Sequence, residues 1–347
     1  MSGSDPDVEV VTTDEELERL APEWLELQDK STPFYVKYDS VKAWWGAYRQ
    51  EHGHDLCIVV ARERGEAVGI APLVLTPGSR NGRKIRRLRF ASHGDYMGFV
   101  LTADQRLASV AMKKIFRYLW DHAEWDTLSL SNVDVSNYLA GHFLRSPVFN
   151  PCFNLHIENP VLNLTHYSSF EEYESAQGLG SVRKRAARFR REIEHRFVVI
   201  RGDSNGSLLG QMGDLHIREK NHLQDEHGRS ERHSLFEDPL RVRHCAAMYS
   251  DPDRTLTFGF ISPEGDLLSY KSAYIDGGSL LCWNSAYAPE VASYRVNTVL
   301  QYEILRHLFK SREFERFDFG AGRYHWKFTW TQEFRSTYRL LLRRNEQ

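Results

Sequence analysis

The sequence predicts an α/β protein with mixed sheets, built as two halves that share one order of elements. Its 347 residues suit two domains of ordinary size better than one. The segment ERGEAVGIAPLVL in the first half resembles SPEGDLLSYKSAYI in the second. Each half later has a long helix that leads into a central strand, WDTLSLSN and FERFDFGAG. This self-similarity indicates a duplicated domain.

Composition narrows the class of protein. With 45 basic and 47 acidic residues the net charge is −2, which argues against a general polyanion binder such as a DNA-binding protein. The four cysteines are widely spaced without a C-x-x-C pair, which favours reduced thiols and a cytoplasmic location. The N-terminus lacks the pattern of a signal peptide, and no run approaches the ~20 apolar residues of a membrane helix.

The first half opens with a capping box, because Thr13 is followed three residues later by Glu16. Strand-like runs and helical periodicity alternate after it. The predicted elements are a helix over 13–28, a helix over 38–51, a hairpin over 55–76, a strand over 84–92, a helix over 103–122 and a strand over 125–133.

The second half begins near residue 161, and we predict domains over 1–160 and 161–347. Its early part holds a short helix after Ser168 and a basic helix from Ser181, whose apolar face extends to Ile193 and Phe197. The later elements are strands over 256–262, 267–275 and 279–287, a helix over 293–312, a strand over 314–320, an aromatic helix over 323–333 and a closing strand, STYRLLLRR.

This order predicts where a ligand would bind. Three consecutive strands form an antiparallel meander, and the helix over 293–312 then crosses to a strand that can lie parallel to its neighbour. Where such strands diverge, a crevice opens beside the N-terminus of the crossover helix. Ligands favour such points, and helix N-termini favour phosphate groups.

Several motifs in this order resemble those of the GNAT acyltransferase superfamily, in its CelD-like and FemAB-like branch with tandem GNAT-like halves. They are Phe317-Asp318-Phe319-Gly320-Ala321-Gly322, the downstream Lys327 and Trp330, the segment Ser293–Leu300, Trp44-Trp45 and the hairpin 55–76. The resemblance implies an acyltransferase domain over 161–347 and a non-catalytic or acceptor-side domain over 1–160. It implies acyl-CoA or acetyl-CoA as donor, and an amine or hydroxyl of an envelope- or polysaccharide-related precursor as acceptor.

The chain also departs from the family pattern. Asn297 stands where a glycine precedes the crossover helix in the family, and Asn tolerates the left-handed backbone that such a turn needs. Arg323 replaces an acidic residue. Two alternatives therefore stay open beside the acyl-CoA enzyme: a FemAB-like enzyme that uses aminoacyl-tRNA, and a non-catalytic scaffold that has lost the donor site.

Four residues are candidates for catalysis, since acyl transfer needs a polarised carbonyl, a proton acceptor and a proton donor. Lys327 could supply positive charge to the donor, or be a surface lysine. Asp318 could be a base or could orient Lys327 or Arg323, and the structural alternative is a carboxylate that bonds backbone amides at the turn after the strand. Tyr324 could protonate the leaving thiolate, or be a core aromatic, and His325 beside it could serve as base.

Six residues are candidates for donor binding. Four of them lie around the start of the crossover helix: Tyr294, Arg295, Asn297 and Thr298; the alternative there is that Ser293 simply caps the helix. The other two, Arg183 and Lys184, lie on the basic helix, where the alternative is a solvated face without a ligand. We predict helix and loop in the His-rich stretch 214–238, which lacks the spacing of metal ligands. We therefore expect no metal there and favour a loop that covers the acceptor.

Overall fold

The computed structural model describes residues 7–51, 53–228 and 233–344. Part of the His-rich stretch, residues 229–232, therefore lies outside the described residues. The α-helices are α1 Asp14–Leu27, α2 Tyr38–Tyr48, α3 Gln105–Asp121, α4 Tyr138–Arg145, α5 Phe170–Ala176, α6 Gly180–Glu192, α7 Ser207–His227, α8 Pro239–Tyr249 and α9 Val296–Ser311.

The strands alternate with these helices along the chain. They are β1 Val8–Val11, β2 Asp55–Glu63, β3 Glu66–Arg80, β4 Arg83–Phe90, β5 Val100–Leu101, β6 Thr127–Asp134, β7 Phe153–Asn163, β8 Arg196–Arg201, β9 Thr255–Ile261, β10 Leu267–Asp276, β11 Ser279–Tyr287, β12 Arg316–Asp318 and β13 Phe334–Arg343.

Contacts divide the chain into two compact units. The first comprises the described residues up to Glu158 and those from Arg335 onward, and the second comprises Asn159–Phe334. The predicted domain over 161–347 thus includes β13, whereas by contacts nearly all of β13 belongs to the first unit. The reason is backbone pairing, because β13 runs antiparallel to β6, with Leu341 opposite Ser129.

In the first unit, β1, β2, β3 and β4 form an antiparallel sheet. The helix α3 then crosses over to β6, which lies parallel to β4 with Leu88 opposite Leu128. This arrangement follows from the chain, since two parallel strands need a long connection and a helix supplies it. The inner face of α3 buries Ala108, Met112 and Ile115 at helical spacing.

The second unit repeats this plan in the order β8, β9, β10, β11, β12 and β7. The strands β8 to β11 are antiparallel. The helix α9 then leads to β12, which is parallel to β11, and the end of β7 closes the sheet against β12. Side chains of β10 alternate between faces, so that Ser269 and Lys271 point to α9 while Tyr270 and Ser272 point the other way.

Three predicted elements differ from the structure. The basic helix ends at Glu192, and Phe197 lies in β8, because the run Phe197-Val198-Val199-Ile200 is β-branched and aromatic and favours a strand. The predicted helix over 323–333 is a short 3-10 helix, His325–Thr329. The predicted helix over 293–312 is divided into a 3-10 helix, Pro289–Tyr294, and α9.

The capping box predicted at α1 is confirmed. The Thr13 hydroxyl accepts a hydrogen bond from the Glu16 backbone N–H at 3.2 Å, and the Glu16 carboxylate accepts one from the Thr13 backbone N–H at 3.1 Å. These contacts satisfy N–H groups at a helix start that have no partner within the helix.

We expect Thr13→Ala to lower the free energy of unfolding by about 1 kcal/mol, because the hydroxyl that receives the Glu16 N–H is removed. Urea unfolding followed by circular dichroism measures this change. Glu16→Gln is the matched control, since its amide oxygen can still accept the Thr13 N–H and the loss should be smaller. Equal losses in the two variants would contradict the role of the Thr13 hydroxyl.

Candidate functional site

The sheet of the second unit opens between β11 and β12. Only three residue pairs join the two strands, the last being Leu281 opposite Asp318, while β11 continues to Tyr287. A register shift between β10 and β11 makes Trp283 an extra residue, since Ser272 faces Asn284 and Ala273 faces Cys282. Such a bulge bends the strand, so β11 turns away where its pairing with β12 ends.

The helix α9 begins beside this opening. Arg295 precedes it with a φ of 51°, and no side chain caps the helix start. The left-handed residue is thus Arg295, whereas Asn297 lies in the first turn of α9, so the expectation that Asn297 makes the turn is wrong. The Asn297 Oδ1 atom instead accepts a hydrogen bond from the Ser269 hydroxyl at 2.7 Å. The alternative of capping by Ser293 is not realised.

On the other side of the opening, the chain leaves β12 through two glycines. Gly320 and Gly322 have φ values of 75° and 93°, and a Cβ on Gly322 would lie 2.9 Å from the Tyr324 ring. Buried Asp318 accepts a hydrogen bond from the Gly320 N–H at 2.8 Å. Lys327 is also buried, and its Nζ atom donates to the carbonyls of Gly320 and Ala321 at 2.6 and 2.8 Å.

A second buried lysine lies on β10. Lys271 donates a hydrogen bond from Nζ to the Oε1 atom of Gln301 on α9, at 2.6 Å. Burial lowers the pKa of the Lys271 ammonium, and the nearby Cys282 acts in the opposite direction. Burial also raises the pKa of the Cys282 thiol to about 12, an increase that Lys271 and Lys327 oppose and Asp318 reinforces. These four ionisable groups therefore lie close together.

The ring of Trp326 lies close to the amines of both lysines. The Lys271 Nζ atom lies 4.9 Å from the centre of the Trp326 ring, and the Lys327 Nζ atom lies 5.7 Å from it. Trp326 is itself 47% exposed. A half-exposed aromatic ring thus lies beside two buried amines, and its π-electrons favour their positive charge.

The remaining predicted residues occupy several places. Tyr324 and His325 are exposed, and the Tyr324 ring centre lies 5.3 Å from the Lys327 Nζ atom. The Tyr294 hydroxyl donates to Glu192 at 3.2 Å, and the backbone N–H of Thr298 donates to the Arg295 carbonyl at 2.8 Å.

The basic helix α6 presents its candidates to solvent. Arg183 and Lys184 are exposed, and Arg183 forms an ion pair with Glu174 at 3.4 Å. The site roles of these residues, like those of the catalytic candidates, stay predictions.

Sequence analysis missed Lys271, Gln301 and Cys282. One signal was available for the first two, because a lysine inside the apolar strand LLSYKSAYI must find a polar partner. Asn297 and Gln301 are four residues apart on α9 and therefore share a face. Nothing in the sequence indicates that this face lies against Lys271.

Comparison with known proteins supports this description. Residues 180–328, which are less than half of the chain, match the family described as acetyltransferase (GNAT) domain. The prediction of an acyltransferase is confirmed at this level. No curated protein matches the sequence.

Two solved structures show the fold. One is FemX, with a TM-score of 0.59 and 11% identity over 96% of this chain and 97% of that chain. The other is L-PGS from Bacillus licheniformis, with a TM-score of 0.57 and 12% identity over 96% of this chain and 93% of that chain. Together with the family match, they confirm the predicted fold class, mixed α/β in GNAT-like halves, and the domain boundaries stay a prediction.

Two kinds of feature are absent from the described residues. In residues 7–51, 53–228 and 233–344, no helix combines the length and the apolar character needed to cross a bilayer. Within the same ranges, no group of three or more His, Cys, Asp or Glu side chains is arranged to hold a metal ion.

We expect Lys271 to make stability depend on pH. Its pKa in the folded protein is lowered, whereas an unfolded lysine has a pKa of about 10.4. Between these two values the unfolded chain binds more protons, so the free energy of unfolding rises with pH. In urea titrations, the wild type should therefore gain stability relative to Lys271→Met as the pH approaches 10. Lys310→Met, at an exposed lysine, is the reference; a constant difference would contradict the assignment.

We also expect Lys327 to hold the turn that leaves β12. Lys327→Met removes two hydrogen bonds and leaves the Gly320 and Ala321 carbonyls without this donor, which should lower the free energy of unfolding by about 1–3 kcal/mol. Chemical denaturation measures the loss, with Lys310→Met as the control for removal of a lysine charge. A loss no greater than that of the control would show that these bonds do not stabilise the turn.

Proposed function

We propose that the protein transfers an acyl group from acyl-CoA to an amine or hydroxyl, and that the C-terminal half carries the reaction. The N-terminal half is then non-catalytic or serves the acceptor. The CelD-like resemblance extends the proposal to an envelope- or polysaccharide-related acceptor. The branch itself, CelD-like or FemAB-like, is part of this proposal.

The opening between β11 and β12 is the observation that carries the proposal. An acyl-CoA needs a place for its phosphate groups and a gap for its thioester. The uncapped start of α9 offers backbone N–H groups and the positive end of the helix dipole to phosphates. Strand β11 pairs with β12 only as far as Leu281, and the part of β11 beyond this residue offers an edge beside which the extended arm of the donor can lie.

The buried groups beside the opening suit acyl transfer. The acceptor nitrogen or oxygen attacks the thioester carbon, the bond from carbon to sulfur breaks, and the thiolate takes a proton. In this proposal Tyr324 donates that proton and His325 removes the proton of the acceptor, since both are exposed near the turn that leaves β12. Asp318 and Lys327 position this turn through their hydrogen bonds.

Ion pairs on α6 favour acyl-CoA over aminoacyl-tRNA. A tRNA would need a basic surface with free charges. Four arginines of α6 are paired with carboxylates: Arg183 with Glu174, Arg188 and Arg191 with Glu192, and Arg190 with Glu303. In the first unit, Arg86 of the basic run forms ion pairs with Asp55 and Glu124. These ion pairs reduce the positive charge that the two basic segments offer to a polyanion.

Burial of Lys271 argues against a non-catalytic scaffold. Placing an amine in the protein interior costs free energy even when it is hydrogen-bonded. Lys271 carries this cost beside the opening, since it donates to one neutral amide oxygen, whereas Lys327 donates to two backbone carbonyls. Groups that destabilise the fold in this way are typical of functional sites.

Acetyl-CoA or a longer acyl-CoA should raise the melting temperature, because a ligand that binds only the folded state stabilises it, by about 2.7 kcal/mol at a hundred times its Kd. Asn297→Asp should weaken binding about tenfold or more, since it places a negative charge at the start of α9. Its carboxylate can still accept the Ser269 hydrogen bond, and acidic residues suit a helix start, so the fold should be unaffected. Thermal-shift titration measures both effects.

Gln105→Asp is the matched control, because it adds the same charge to the first turn of α3 in the other unit. It should leave the affinity for acyl-CoA unchanged. A melting temperature that responds to aminoacyl-tRNA and not to acyl-CoA would replace this proposal by the FemAB-like alternative. No response to either donor would favour the scaffold.

A further inference from the structure

Hydrogen-bond donors outnumber acceptors around Lys271. Its Nζ atom has one hydrogen-bond acceptor among the described residues, the Oε1 atom of Gln301. The Nε2 atom of Gln301 has no hydrogen-bond partner in the same part of the chain. Both side chains are at least 95% buried, with exposures of 5% for Lys271 and 1% for Gln301. A buried donor without an acceptor destabilises the folded protein, so buried donors normally have a partner.

The orientation of Gln301 places the two donors side by side. The Oε1 atom of Gln301 accepts the hydrogen bond from Lys271, as suits an ammonium group, which has donors and no acceptor. The amide nitrogen is bonded to the same carbon as that oxygen and therefore lies on the same side of α9, a few ångströms from the lysine. The missing partner is one acceptor atom that both N–H groups can reach, such as a carbonyl oxygen.

These donors lie at the opening of the sheet. Lys271 is opposite Ser285 on β11, beyond the last pair between β11 and β12. The ring of half-exposed Trp326 has its centre 4.9 Å from the Lys271 Nζ atom. Lys327, the other amine here, already donates to two backbone carbonyls. Lys271 and Gln301 are thus the pair whose N–H groups exceed the acceptors around them.

We propose that Lys271 and Gln301 donate hydrogen bonds to the carbonyl oxygen of the donor thioester. This inference rests on the proposed function. As the acceptor attacks, the electron pair of the C=O bond moves to that oxygen, and the two N–H groups stabilise the negative charge. When the C–S bond breaks, the pair re-forms the C=O bond and Lys271 and Gln301 are unchanged. Fixed donors of this kind typically contribute 10²–10³ to kcat each.

Two ligands that differ only in the carbonyl test the inference. Acetyl-CoA has a thioester, and S-ethyl-CoA has a thioether in its place. By isothermal titration calorimetry the wild type should bind acetyl-CoA about tenfold tighter, the effect of one hydrogen bond from a charged donor. Lys271→Met and Gln301→Met should reduce this ratio toward one, mainly by weakening acetyl-CoA. Lys310→Met, far along α9, should keep the wild-type ratio.

The outcomes separate this inference from the proposed function. If the wild type binds neither ligand, the acyl-CoA proposal fails. If it binds both equally well, or if the ratio survives in both variants, the donor is acyl-CoA but its carbonyl lies elsewhere, and the inference is overturned. Gln301→Met retains Lys271 and its charge, so it provides the test even if Lys271→Met does not fold, as judged by circular dichroism.

Discussion

Three residue pairs of parallel pairing join β11 to β12, and the candidate site depends on where this pairing stops. Longer pairing would close the sheet and leave no edge for a ligand. The bulge at Trp283 and the glycine turn after β12 turn the two chains apart just beyond Leu281. α9 begins on one side of the gap and Lys327 ties the turn on the other. A local irregularity of the backbone thus brings the polar groups of β10, α9 and the 3-10 helix to one place.

The two buried lysines differ in the hydrogen-bond partners that compensate for the loss of water around the amine. Lys327 gives its N–H groups to carbonyls of the turn, so its charge is solvated by the backbone and the turn is fixed in return. Lys271 has only a neutral amide as hydrogen-bond partner among the described residues, and burial lowers its pKa. The hydrogen bonds of Lys327 stabilise the turn, while Lys271 keeps N–H groups that can still donate to a ligand. Proteins usually tolerate such a cost where a ligand later relieves it.

The sequence predicted the elements that local patterns determine, and missed those that depend on distant contacts. The capping box at Thr13, the hairpin of β2 and β3, and the meander before α9 follow from spacing alone. The partner of Gln301 does not, because Lys271 is 30 residues away in the chain. The pairing of β7 with β12 was missed for the same reason, since no local pattern in the sequence indicates it. Resemblance of motifs directed attention to Lys327, and only the folded structure shows that it donates to two backbone carbonyls.

The last strand of the N-terminal sheet comes from the end of the chain. β13 follows the elements of the second unit yet pairs with β6. The end of β7 that pairs with β12, residues 161–163, lies within the second unit itself. A fragment that ends near residue 160 would therefore lack β13, and the bare edge of β6 would be exposed to aggregation. Translation adds a second consequence, since the N-terminal sheet cannot be completed until β13 has left the ribosome. Deleting β13 should thus harm the half of the protein that is made first.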